Sequence, residues 1–69
     1  MTIIEIQASR ITVNFEIDEL YILNNALNEV CNGLYLDAFS TRMGSEREQV
    51  AALLAEIHAT LERFESSPT

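Results

Sequence analysis

Residues 3–17, IIEIQASRITVNFEI, decide the fold class, because apolar and polar side chains alternate through them with the period-two pattern of half-buried strands. Ile4, Ile6 and Ala8 fall on one face of a first strand, and Ile11, Val13, Phe15 and Ile17 on one face of a second. Glu5, Gln7, Thr12, Asn14 and Glu16 take the opposite faces. The two runs meet at Ala8-Ser9, which predicts a hairpin but lacks the Asn-Gly signature of a tight primed turn. Two strands alone are marginal in water, so the apolar face must lie on helices. A free edge also remains that could pair with another chain.

Helical signals follow the hairpin. Asp18 stands where an N-cap belongs, with Glu19 in the first turn, and Gly33 stands where a glycine ends a helix. At 100° per residue, Leu20, Ile22, Leu23, Ala26, Leu27, Val30 and Cys31 form the core-facing half of this helix. Tyr21, Asn24, Asn25, Asn28, Glu29 and Asn32 form the other half. Asparagine is a weak helix former, costing about 0.5–0.7 kcal/mol relative to alanine, so four on one helix face need a reason. They either bond to neighbouring loops and hairpin backbone, or present a polar recognition surface whose amides donate and accept.

A short helix is expected over 37–43, with Asp37 as its cap, Phe39 and Met43 on one face, and Gly44 as the left-handed stop. Ser45 and Glu48 then make an S-x-x-E capping box for a second long helix running to about Phe64. Its Val50, Leu54, Ile57, Leu61 and Phe64 are spaced 4, 3, 4, 3, a narrow seam with Leu53 beside it. Ala51, Ala52, Ala55 and Ala59 lie on the adjoining flank, where another helix could approach closely. The expected architecture is therefore α+β: an N-terminal two-stranded β-hairpin, a long helix, a short helix and a second long helix. Residues 1–65 are read as one domain and 66–69 as a frayed tail.

Charge bounds the function. The 69 residues hold 11 carboxylates against 4 arginines, with no lysine, for a net charge of −7. Phosphate-tracking nucleic-acid binders and anionic-membrane binders need clustered cations, so both are disfavoured. Residues 1–17 sum to −1, 18–33 to −3, 34–45 to 0 and 46–69 to −3, which puts the acidity on the two long helices. Such a surface is solvating, or it steers a basic protein partner, as an immunity protein or a nucleic-acid mimic would. The single cysteine, Cys31, makes no internal disulfide. No signal peptide or membrane span is recognisable, so a cytoplasmic location is expected.

Asn25-Ala26-Leu27-Asn28-Glu29-Val30, Asn32-Gly33-Leu34 and Phe39-x-Thr41-Arg42-x-Gly44-x-x-Arg47-Glu48 together resemble a family of small bacterial proteins that carries no assigned activity. The resemblance spans roughly Phe15 to Leu61. It implies a hairpin-plus-helices unit in a bacterial cytoplasm and brings no chemistry with it.

Catalysis finds little support. His58 has only Glu62 at helical spacing and no accompanying nucleophile. Cys31 sits near a helix C-terminus, where the dipole disfavours a thiolate. No cofactor is expected: the carboxylates lack metal-ligand spacing, and glycine occurs only at Gly33 and Gly44, too few for a phosphate loop. The short helix, glycine turn and capped second helix mimic a helix-turn-helix, but Glu46 and Glu48 give the second helix the wrong sign for phosphate. Arg42 and Arg47 are expected to pair with Asp37, Glu46 or Glu48. Arg42 leaves room for one specific anionic contact. The leading expectation is a non-enzymatic acidic protein-interaction module, a homodimer because so short a chain buries only about 60% of its unfolded surface. Its candidate partner-binding residues are Asn24, Asn25, Asn28, Glu29, Asn32 and Arg42. A small DNA-associated regulator using the helix corner is the alternative.

Overall fold

The computed structural model describes residues 1–33 and 35–67. Strands β1 (Thr2–Ile6) and β2 (Ile11–Asn14) pair antiparallel, followed by α1 (Ile17–Asn28), a π-helical turn (Glu29–Gly33), α2 (Phe39–Met43) and α3 (Arg47–Glu65). The architecture is the expected α+β one. Leu34, Pro68 and Thr69 lie outside the described residues, and with them part of the expected tail. Ser66 and Ser67 of that tail donate backbone N–H bonds to the Glu62 and Phe64 carbonyls at 3.0 and 3.1 Å.

The hairpin closes over Gln7–Arg10, where the Gln7 N–H donates to the Arg10 carbonyl at 2.8 Å. Its register corrects the expected faces. Ile3 pairs with Val13 and Ile6 with Ile11, while the register shifts between Ile3 and Glu5. Ile4 is thus the extra residue of a β-bulge, which returns Ile3 rather than Ile4 to the side of Ile6. In a regular strand Ile3 and Ile4 would face opposite sides, and the bulge sets Ile3 in phase with Ile6. The isoleucine face meets no helix: Ile6 and Ile11 remain 68% and 62% exposed.

Both long helices start at a glutamate. Glu16 caps α1 in place of Asp18, and the Glu19 carboxylate reaches back to the Glu16 N–H at 2.8 Å. Glu46 caps α3 in place of Ser45, with Gln49 Oε1 accepting from the Glu46 N–H at 3.1 Å and from Ser45 Oγ at 2.6 Å. In each case the N3 side chain that reaches back sets the start, and the nearby Asp or Ser is displaced from the cap. The end of α1 also differs from a regular helix stopped by Gly33. Val30, Cys31, Asn32 and Gly33 are weak helix formers, and over them the chain widens into the π-turn. Gly33 is not left-handed; a Cβ there would collide with the Glu29 carboxylate.

Helices α1 and α3 run antiparallel. Tyr21 near the start of α1 meets Glu65 at the end of α3, and Cys31 past the end of α1 meets Arg47 at the start of α3. Among the covered residues are Leu20, Asn24, Leu27 and Cys31 of α1 and its π-turn, all half-buried, and Val50, Leu54, Ile57 and Leu61 of α3, half-buried or buried. Both series are spaced 4, 3, 4, the geometry of a coiled-coil seam. The α3 seam is the expected one as far as Leu61, whereas Phe64, expected to close it, is 55% exposed; the α1 face is rotated from the expected one. It takes in Tyr21 and Asn24 and leaves Ile22, Leu23 and Ala26 uncovered. The apolar half of α1 is broader than one neighbouring helix can cover, and α3 takes only its flank.

At the corner, α2 is shorter than expected. Its N-cap is Ala38, left-handed with φ 54°, rather than Asp37; its stop is Gly44, left-handed as expected with φ 73°. A left-handed alanine costs about 1 kcal/mol. Ala38→Gly is therefore expected to stabilise the chain by up to about that amount, offset in part by the entropy of glycine in the unfolded chain. Urea unfolding measures it; a destabilised variant would show that Ala38 bears no strain. Phe39, Val50 and Leu61 are the buried apolar residues among those described. The Cα framework spans 41 × 32 × 16 Å, little more than one helix thick in its shortest dimension.

Candidate functional site

Between α1 and α3 an open groove of about 480 Å³ is lined by Asn24, Asn28 and Asn32 on one wall and by Ala51, Leu54, Ala55 and His58 on the other. The asparagines repeat every fourth residue, so they stand one above another along α1 and its π-turn. Ala51, Ala55 and His58 occupy the matching flank of α3, where the two small alanine side chains leave the groove open. Asn32 Nδ2 donates to Asn28 Oδ1 at 3.0 Å, and Asn24 Nδ2 to Asn25 Oδ1 at 3.4 Å. Asn24 Oδ1 is buried with no hydrogen-bond partner. A polar residue in a coiled-coil seam is a known device for fixing partner and register, at some cost in stability.

Three of the six sequence-derived candidates, Asn24, Asn28 and Asn32, thus meet in one groove. Asn25 and Glu29 are exposed beside it, with Glu29 folded over Gly33. Arg42 stands apart in the last turn of α2; its backbone N–H donates to the Ala38 carbonyl at 3.0 Å, and its side chain makes no hydrogen bond or ion pair among the described residues. The groove also includes His58, for which the sequence offered only Glu62 as a neighbour. Its Nε2 meets Glu62 Oε1 at 2.9 Å with both side chains exposed. The signal for it was the spacing Ala51, Ala55, His58 on the alanine flank.

The helix corner is wired differently from expectation. Arg47 does not pair with Asp37, Glu46 or Glu48; its Nη1 donates to the Cys31 carbonyl at 2.9 Å and its guanidinium lies 4.3 Å from the centroid of the Phe39 ring. Glu46 instead accepts from Ser40 Oγ at 2.9 Å. The π-turn ends the helix and leaves the Cys31 carbonyl free for Arg47, whose planar fork can bond in its plane and stack on an aromatic face.

Two carboxylates are tied to the fold. The N-terminal ammonium reaches Glu19 at 2.7 and 2.8 Å, and this bond, with the Glu16 N–H, holds the Glu19 carboxyl below the usual carboxylate range. A carboxyl lowered on folding stabilises the chain above its unfolded pKa, and that contribution is lost as pH falls through the folded value. Acidification below the ordinary glutamate range is therefore expected to loosen the hairpin–α1 junction, and Glu19→Gln to flatten that part of the stability profile. Urea titrations across pH measure it; an unchanged profile in the variant would remove the assignment. Tyr21 donates to Glu65 Oε1 at 2.5 Å, and this bond, with burial and the charge of Glu65, raises the phenol's pKa.

Among the described residues no group of three His, Cys, Asp or Glu side chains is placed to hold a metal, and no helix is long and apolar enough to cross a membrane. Paired amides and one histidine line the groove with hydrogen-bond donors and acceptors. Comparison with protein-family models, curated proteins and solved structures gives no match to this chain.

Proposed function

We propose that this chain is a non-enzymatic protein-interaction module that works as a homodimer and uses the asparagine groove to recognise a further partner. The observation that carries the reading is an excess of exposed surface. The chain exposes 5600 Å², whereas a folded monomer of its 7.8 kDa mass exposes about 4400 Å². The excess, about 1200 Å², exceeds the roughly 800 Å² that each partner contributes to a standard stable interface. The acidic helices favour a basic further partner, since their charge speeds its approach. The DNA-associated alternative gains no observation, because Arg47 is turned onto Phe39 and the Cys31 carbonyl rather than outward.

Sedimentation velocity tests the dimer: a species of twice the chain mass at micromolar concentration is expected, and a folded monomer there would overturn it. For the groove, the double variant Asn28→Ala, Asn32→Ala separates recognition from structure. Each substitution gains about 0.5–0.7 kcal/mol of helix propensity, so the variant is expected to melt no lower than the parent while losing capture of the partner from its native cell. Capture unchanged with a lowered melting temperature would make the asparagines structural.

A further inference from the structure

The chain carries two apolar surfaces of opposite shape that do not cover each other. One is the hairpin arm, where the cross-strand pairs Ile3–Val13 and Ile6–Ile11 share a face and only Val13 is half-buried. The other is an open groove of about 310 Å³ lined by Met1, Phe15, Glu19, Ile22 and Leu23, with Ile22 66% exposed. A two-stranded hairpin is marginal in water at best when little of it is covered, so the arm gains stability from a cover.

We infer that a second copy of this chain is that cover. The Ile6–Ile11 end of each arm seats in the Met1–Phe15–Ile22–Leu23 groove of the other copy. The inference rests on the homodimer reading above and names its surface.

Three observations favour a second copy over another occupant. The excess exposed area matches one stable interface per chain. Charge does not oppose this surface: Glu5 and Arg10 balance on the arm, and Glu19 in the groove is paired with the N-terminal ammonium, whereas two chains of net charge −7 repel through the rest of their acidic helices. A basic protein would be drawn to the helices instead. Finally, arm and groove sit on the same chain. Exchange about a two-fold axis therefore fills both grooves and leaves no open end, as a closed dimer requires.

Inter-chain disulfide trapping tests the exchange. Two single-cysteine chains, Ile6→Cys and Ile22→Cys, each with Cys31→Ser, are mixed, equilibrated and oxidised. Arm-in-groove exchange brings unlike positions within disulfide reach, where Cα atoms stand about 4.4–6.8 Å apart, so linked unlike chains are expected to predominate. Alongside, Ile6→Lys is expected to raise the dimer dissociation constant roughly 30-fold or more, as loss of a central apolar contact does, and Leu53→Lys on α3 far less. A dimer that gives only like-chain links, gives none, or is broken by Leu53→Lys while Ile6→Lys leaves it intact, overturns the exchange and leaves the homodimer standing. A folded monomer by sedimentation overturns both.

Discussion

Leu61→Ala is expected to remove about 3 kcal/mol of stability, the largest single effect in the chain. At 2% exposure Leu61 is the most buried of the described side chains, and it lies in the α3 seam against α1. Truncating a buried leucine loses transfer free energy and leaves a cavity, together about 2–5 kcal/mol. A domain of this length has about 3–10 kcal/mol in all, so the loss takes a third or more of it. At fixed protein concentration the melting temperature should fall by about 12–24 °C, by the usual 4–8 °C per kcal/mol for chains of this size. Leu61→Met conserves volume and should cost less than about 1.5 kcal/mol. Thermal and urea unfolding followed by circular dichroism measure both. A loss under about 0.5 kcal/mol in the alanine variant would mean that the α1–α3 seam is not the centre of the fold.

That seam also shows which features sequence periodicity can carry. On α3, Val50, Leu54, Ile57 and Leu61 form a narrow apolar line with alanines and charges around it, so only one face can pack and the expected face does. On α1 the apolar residues cover about half the circumference, and periodicity favours their centre, near Leu23 and Leu27. Packing against one helix uses only the edge of that half, which brings Asn24 into the contact and leaves Ile22 outside. The broad face has room for two helical neighbours, and α3 occupies one side of it. The groove was half legible for the same reason: its asparagine wall stood out as costly residues on one helix, but its position opposite Ala51, Ala55 and His58 depends on how α1 is rotated about its axis.

Local signals failed where two competed. Asp18 and Ser45 are the better isolated caps, yet Glu19 and Gln49 reach back to the N–H groups of Glu16 and Glu46. A cap satisfied from the N3 position is invisible to a rule that ranks single residues. The run Ile3-Ile4-Glu5-Ile6 offered two strand phases, and the bulge at Ile4 chose between them. The left-handed Ala38 had no signal at all, since alanine avoids that conformation and only the turn into α2 demands it.

Arg47→Ala is expected to cost about 2 kcal/mol, although Arg47 itself is exposed. As the first residue of α3 its charge is unfavourable to that helix's own dipole, whose N-terminus is positive. The same charge stands at the carbonyl end of α1 and its π-turn, where a cation is favourable, and donates to the Cys31 carbonyl at 2.9 Å. A hydrogen bond from a charged donor contributes about 1.5–3 kcal/mol when shielded and less in the open. The guanidinium also covers the ring of Phe39, one of the three buried apolar residues, and that contact adds about 0.5–1 kcal/mol. Among the described residues Arg47 thus ties the end of α1, the start of α3 and α2 together. Arg47→Lys keeps a donor but not a planar stack and should fall between parent and alanine variant. Arg42→Ala, with no side-chain partner among the described residues, should stay within about 0.5 kcal/mol of the parent. Urea unfolding of the three variants, with unchanged dependence on denaturant, gives the ranking. Equal stability of the Arg47 and Arg42 alanine variants would show that the corner is held by Phe39 and Met43 packing alone.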